Sequence, residues 1–466
     1  MRRRVTPLII SLLVFLLSGL TVDCPVFASL RGGSGRVDIT PPLGITLIGS
    51  KGQPSDAVMD ELYAKALVLN DGANTVAILS ADLLYTPLEE ITEPVRDIVE
   101  SKTGIPRQNV MVCATHTHSG PEVFTRSKVP REGRLPAEQI DRSYLKVLAD
   151  KMATSVLLAH RTMRDVRIGA AIGRLPELVY NRRPTNADGQ VEMAFTVPPE
   201  IAATRKIVRR PDGQVRTTFT FPNEGKPLSF GPIDPDVFVL RMEDIEGNLV
   251  GSLVNFGCHP VCVYPFESTA ISADYPGHAT RVVEQTESGI SLFTLGLAGN
   301  AVPWQRGIEP CRQMGKALGG EALRRLQRIA TGDDVTLHAL CREVSFPTKE
   351  AAPGDDSTAK SITTEIQVLR LGDVYVLGLP GEVLVEVGLE IKKRAEVENL
   401  LIVTLANDAI GYVCHAQAYE EGGYEPTSGT DLAKGAGEIM VDQALALIED
   451  INRLTGDATV LGSLGP

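Results

Sequence analysis

Two of the seven histidines fall in one heptapeptide, Thr115-His116-Thr117-His118-Ser119-Gly120-Pro121. On an extended backbone residues i and i+2 project to one face. His116 and His118 can therefore converge on one metal ion, or one can bind metal while the other works as an acid or base. His259 precedes a proline in Asn255-Phe256-Gly257-Cys258-His259-Pro260, and Glu382 follows Leu379-Pro380-Gly381. Tyr412 and Tyr424 stand in Gly411-Tyr412-Val413 and Gly423-Tyr424-Glu425. Taken singly, each has an ordinary structural explanation: a His at a strand end, a carboxylate near a helix N-terminus, a packed loop aromatic. Taken together, they put His, His, Glu and Tyr after four separate apolar runs, and all of these types ligate or assist zinc.

The elements that must position these residues alternate along the chain. Apolar, β-prone runs at 75–79, 110–114, 237–240, 249–256, 292–297, 336–344, 363–369, 374–378 and 400–405 read as strands. Helical spacing appears at 88–101, 137–161, 276–287, 310–330, 384–397 and 434–454. Strands and helices interleaved to the end imply one large α/β unit without an evident linker. The histidine-bearing segments follow strands, where open α/β sheets place their ligands. One segment stands apart: 188–200 and 212–224 share the pattern DGQVxxxFTxPxE at a spacing of 24 residues. Asp-Gly turns before β-prone residues predict two related hairpins inserted at about 184–232. They read as a surface ornament or as a flap over the site.

The segments ATHTHSGP, NFGCHP, PGE and GY…YE, with VDITPPLG and ILSADLL before them, resemble the neutral/alkaline non-lysosomal ceramidases. The resemblance spans about residues 37–446 and implies stacked mixed β-sheets flanked by helices. It also implies the roles. His116, His259, Glu382 and Tyr412 match the zinc ligands. His118 matches the family's second His, Tyr424 a catalytic Tyr twelve positions after Tyr412, and Arg182 of Tyr180-Asn181-Arg182-Arg183 an Arg on the reacting group, with Arg183 as the other choice. Such a zinc site keeps a position for water and lowers its pKa toward ~7. An amide carbonyl is then polarised, Tyr424 and Arg182 suit donation to the developing oxyanion, and His118 suits passing a proton to the leaving amine. Two departures stand out. The family's NQGDVSPN-like loop reads Leu297-Ala298-Gly299-Asn300-Ala301-Val302-Pro303-Trp304, and no stretch up to Pro466 would hold the immunoglobulin-like C-terminal domain usual in the group.

Composition narrows the function classes. Of 466 residues, 46 are basic and 58 acidic, a net charge of −12 that argues against a phosphate-binding surface. Aromatics are 5% with one Trp, so base-stacking platforms, and with them nucleic-acid partners, are not expected. Three arginines, an apolar run over 7–22 and Val26-Phe27-Ala28 have the layout of a secretory signal peptide cleaved after Ala28. Its removal would leave 43 basic against 57 acidic side chains, a charge of −14, on an exported, secreted or periplasmic chain. Residues 29–466 would then form a single zinc hydrolase domain. Six cysteines remain (Cys113, Cys258, Cys262, Cys311, Cys341, Cys414), an even number that permits disulfides in an oxidising compartment. Cys113, Cys258 and Cys414, close to the proposed ligands, read as small buried side chains, as a thiolate ligand or as a disulfide beside the site.

The expected activity is zinc-dependent cleavage of the N-acyl amide of a ceramide-like lipid to fatty acid and sphingoid amine. Contact with a membrane surface is compatible with such a substrate, and nothing in the sequence points to a protein partner. The rival readings are a hydrolase of the same fold acting on another amide or ester, and a non-catalytic lipid- or glycan-binding module.

Overall fold

The computed structural model describes residues 29–48, 53–123, 142–221, 228–349 and 361–456. The proposed leader, the start of the helix expected at 137–161 and the end of the second DGQV copy lie outside these residues. An eight-stranded mixed sheet runs in the order Ile290–Leu295, Leu249–Phe256, Asp236–Asp244, Arg164–Arg174, Arg31–Asp38, Tyr63–Asn70, Thr75–Ala81, Val110–Ala114. Its two outermost pairs are parallel. A four-stranded sheet has the order Leu337–Pro347, Ser361–Leu371, Val374–Leu379, Asn399–Thr404, the last pair parallel.

Side-chain alternation shows how the sheets stack. Leu67, Leu69, Val76, Ile78, Met111, Phe238 and Leu240 form one apolar cluster with Leu369, Val374, Val376, Leu401 and Val403 of the smaller sheet. Their neighbours Val68, Ala77, Leu79, Val110, Val112, Val237 and Val239 point the other way, toward helices. Strand residues alternate faces, so the sheets pack face to face and helices cover the outer faces. Glu93–Thr103, Arg142–Arg161, Asp274–Glu287 and Ile308–Leu326 cover the large sheet; Val385–Arg394 and Ala436–Thr455 cover the small one. This is the layered mixed α/β arrangement expected from sequence. No helix among the described residues is long and apolar enough to cross a membrane.

Two strands carry no apolar signal, and their glycines explain why. Arg31–Asp38 reads RGGSGRVD. A Cβ on Gly33 or Gly35 would overlap the backbone of Ala159 or Ser155, so helix Arg142–Arg161 lies directly on the strand backbone. In Arg164–Arg174, a Cβ on Gly169 would collide with the carbonyl of Ala330. Close approach replaces side-chain burial here.

The large sheet curls until its two edges meet. Lys65 Nζ donates to the Ser291 carbonyl at 3.0 Å, and Ser80 Oγ to that of Phe293 at 2.5 Å. Asn255 Nδ2 reaches the Ile402 carbonyl of the small sheet at 3.1 Å. The carboxyl ends of strands far apart in sheet order thus come together. That convergence builds the site.

Of the repeated segments, only the second forms a strand pair, Lys206–Arg209 with Val215–Thr218, around the Asp212-Gly213 turn. The first makes its turn at Asp188-Gly189, closed by one bridge from Thr185 to Val191, and then runs on without a ladder. Its Phe195 and Thr196 line the central cavity.

Candidate metal centre and active site

His116 follows strand Val110–Ala114 and sits at φ 70°, an uncommon conformation for a residue with a side chain. Its Nδ1 faces the Leu84 carbonyl at 2.9 Å. His259 follows strand Leu249–Phe256, and its Nδ1 faces the Ala298 carbonyl in a short hydrogen bond. A carbonyl only accepts, so both Nδ1 atoms carry the proton and both Nε2 lone pairs point inward. Glu382 stands three residues beyond the last residue of strand Val374–Leu379. It follows Gly381 at φ 94°, where a Cβ would strike the Gly411 carbonyl. The short strand Glu382–Val383 pairs in parallel with Tyr412–Val413, with Glu382 opposite Tyr412. Two residues distant in sequence are thereby set side by side.

The four groups meet in the interior. Glu382 Oε2 lies 3.3 Å from His116 Nε2 and 3.1 Å from His259 Nε2, and the Tyr412 hydroxyl lies 3.3 Å from His259 Nε2. Ligand atoms of His116, His118 and His259 all fall within 4.8 Å of one another. His116 Nε2 and His118 Nε2 are buried without a hydrogen-bond partner. Imidazole lone pairs aimed at a carboxylate oxygen repel it unless a positive centre lies between them. Two histidines, a carboxylate and a phenol, with a third histidine beside them, are a donor set for zinc. The residues therefore fit a metal ion on the structure's own terms.

Electrostatics point the same way. Burial pushes the His118 pKa well below its ordinary value, helped by the neighbouring His116 and His259. Burial and the Arg182 charge bring that of His259 down to about 4. Both rings are neutral, as ligands or proton acceptors must be.

A cavity of about 560 Å³ opens over these groups. His118, Arg182, His259, Glu382, Tyr412 and Tyr424 all line it, with Leu84, Phe195 and Val261 among its apolar walls. Arg182 follows the short strand Val179–Asn181, and its Nη2 donates to the Tyr412 hydroxyl at 3.0 Å. Burial works against the Arg182 charge, but Tyr412 and Glu425 outweigh it and raise its pKa. Arg183, the other choice, instead donates to Glu425 at 2.7 Å and to the Gly422 carbonyl at 2.9 Å, and does not line the cavity. Tyr424 opens the short helix Tyr424–Thr427, with its ring 5.6 Å from that of Tyr412. The structure thus gathers every residue singled out from sequence.

Sequence reasoning missed four contributors. The Tyr85 hydroxyl donates to Glu382 Oε1 at 3.0 Å. Glu425, fully buried, accepts from Arg182 and Arg183 at 2.7 Å each. Tyr264 packs 5.7 Å from the His118 ring, and Arg306 lines the cavity. Glu425 stands within the quoted Gly423-Tyr424-Glu425 and Tyr85 directly follows ILSADLL, whereas Tyr264 and Arg306 lie outside the quoted segments. The cysteines show no disulfide: all six are free thiols. Burial pushes Cys113 up to about 12 and Cys258 well above its ordinary value, so both are neutral packing side chains.

Residues 31–190 match the neutral/alkaline non-lysosomal ceramidase family, N-terminal. Over this part the chain is similar to the neutral ceramidases. It is 24% identical over 270 residues to neutral ceramidase A of Dictyostelium discoideum, an alignment that covers 57% of this chain and 33% of that protein. The aligned part is thus about a third of that relative's length. Among solved structures, the neutral ceramidase from Pseudomonas aeruginosa superposes with a TM-score of 0.69 at 20% identity, over 91% of this chain and 75% of that one. A ceramidase complexed with C2 gives 0.69 at 18%, over 94% and 77%. At these identities the fold is shared.

Proposed function

We propose that the chain is a zinc-dependent amidohydrolase that cleaves the N-acyl amide of ceramide-like lipids to a fatty acid and a sphingoid amine. The observation that carries this reading is the convergence of His116, His259, Glu382 and Tyr412 beneath a cavity that His118, Arg182 and Tyr424 also line. His116, His259, Glu382 and Tyr412 would hold the zinc. Bound there, zinc supplies a Lewis acid and a water acidified toward neutrality.

The chain's own residues do the rest. Leu84 and Ala298 fix the histidine tautomers through their carbonyls. Tyr85 orients the Glu382 carboxylate. Arg182, held by Glu425, and the Tyr424 hydroxyl donate toward the oxygen on which negative charge develops. His118, kept neutral by burial, accepts a proton at Nε2 and returns it to the leaving nitrogen. The apolar walls Leu84, Phe195 and Val261 suit an acyl chain. We also propose export, supported by the tripartite layout of the first 28 residues.

The test is fatty-acid release from a panel of N-acylsphingosines of graded chain length, beside short N-acyl amides and esters. Turnover that rises with chain length supports the lipid reading. Equal turnover of the short compounds favours the broader same-fold hydrolase, and zinc binding without turnover favours a binding module.

A further inference from the structure

The cavity holds one charge that hydrolysis as described does not use. Arg306 lies between the short strand Ala301–Pro303 and helix Ile308–Leu326, just past the loop that departs from the family pattern. That loop's own changes are accounted for inside the fold. Asn300 Nδ2 donates to Glu386 at 2.7 Å, Val302 packs with Tyr180 and Phe230, and Trp304 stacks beneath Arg205 at 4.2 Å. Arg306 has no such role, and it lines the cavity beside His118, Arg182 and Tyr264.

Other charges in the cavity are matched. Arg182 is paired with Glu425, and Glu382 faces two ligand histidines. Arg306 Nε, by contrast, is buried without a hydrogen-bond partner, and among the described residues no carboxylate forms an ion pair with the guanidinium. The charged neighbour acting on it is Arg182, of the same sign. Burial, with that repulsion, lowers its pKa from the ordinary value, yet a guanidinium remains protonated at neutral pH. A cation half withdrawn from water, without a counter-charge, is unfavourable to hold. An anion brought in by a ligand would relieve it, and the guanidinium fork matches a carboxylate in particular.

We propose that Arg306 binds an anionic group on the substrate, so that the site takes N-acyl amides whose amine portion bears a carboxylate, such as N-acyl amino acids, in preference to neutral counterparts. This rests on the amidohydrolase reading for turnover and replaces its neutral sphingoid amine by an anionic one; its binding component stands apart from turnover. Apolar walls receive the acyl chain, the centre under His118 receives the amide, and Arg306 receives the carboxylate.

The test uses the full chain and a pair of amides differing only in charge, N-lauroylglycine and N-lauroylethanolamine. A charged hydrogen bond of the usual strength corresponds to about 10- to 100-fold. Wild type should favour N-lauroylglycine by about that factor in kcat/KM. Arg306→Gln should remove the preference, mainly through KM, and leave the neutral amide within about threefold; Arg306→Lys should restore part of it. Equilibrium dialysis of both compounds reads the same preference without turnover. If neither amide is cleaved but the binding preference is present and lost in R306Q, the hydrolase reading fails and this inference stands. If both are cleaved with equal kcat/KM in wild type and variant, and dialysis shows no preference, the inference is overturned. Laurate gives a third arm: weaker laurate binding in R306Q, with discrimination between the amides unchanged, would assign Arg306 to the product and overturn the proposal.

Discussion

Glu425→Gln changes one atom and should have a large effect. Glu425 is fully buried, with Oε1 2.7 Å from Arg182 Nε and Oε2 2.7 Å from Arg183 Nη1. Both arginine side chains are no more than 5% exposed. The amide keeps the shape but leaves the buried Arg182 guanidinium without a carboxylate and Arg183 with only Glu421 at 3.6 Å, and it offers a donor where an acceptor is needed. Removing one partner of a buried ion pair costs about 3–5 kcal/mol. At about 2 °C per kcal/mol for a chain this large, calorimetry should show a midpoint lowered by about 6–10 °C. The double variant E425Q/R183Q removes one of the stranded charges. Its loss should fall short of the sum of the single losses by about 1 kcal/mol or more. Catalysis should suffer separately, because Arg182 Nη2 holds the Tyr412 hydroxyl at 3.0 Å and Glu425 holds Arg182. Turnover of E425Q at a temperature where it is folded should drop about tenfold or more, equivalent to 1.4 kcal/mol of lost transition-state stabilisation. An E425Q protein within 1 kcal/mol of wild type in stability, with undiminished turnover, would refute the reasoning.

Three further outcomes are expected. Tyr424→Phe should lower kcat about 100-fold, as loss of an oxyanion donor does, while zinc content measured by atomic absorption stays unchanged. Gly35→Ala should destabilise the fold by about 2–3 kcal/mol in denaturant titration, because its Cβ would overlap the Ser155 carbonyl on the packed helix. Asp82 should make stability pH-dependent, since burial raises its pKa from 3.8 to about 6. A folded-state pKa above the unfolded one stabilises at low pH, and that contribution disappears as pH rises through about 6. Between pH 4 and 7 wild type should lose about 3 kcal/mol more than Asp82→Asn; equal pH slopes in urea unfolding would contradict it.

The fold was legible where strands are buried on both faces. Val110–Ala114 and Leu249–Phe256 have the predicted bounds, and most other predicted strands differ by one to four residues at an end. Such strands are continuous apolar runs. Arg31–Asp38 and Arg164–Arg174 were not legible, because close packing against the backbone selected glycine there. The helix expected from 88 begins instead with a wide turn, Leu88–Thr92, before Glu93–Thr103. Pro94 removes a backbone donor at that junction.

In the site, residue type and the joint pattern after apolar runs raised His116, His259, Glu382 and Tyr412 as candidates, and the resemblance supplied their roles as ligands. Their supports were not visible. Tyr85 and Glu382 are 297 positions apart and meet only because the large sheet curls and the small sheet packs on it. Arg306 carries no motif. It stands out only when the structure shows a cation beside Arg182 with no carboxylate among the described residues to answer it.

The central claim is that one metal ion held by His116, His259, Glu382 and Tyr412 is needed for amide cleavage. The direct measurement is metal content together with fatty-acid release from an N-acyl amide, before chelation, after it and after zinc is restored. About one zinc per chain is expected, with loss of release on chelation, recovery with added zinc, and neither metal nor release in His116→Ala. Full turnover by the chelated protein, or His116→Ala retaining both zinc and turnover, would contradict it.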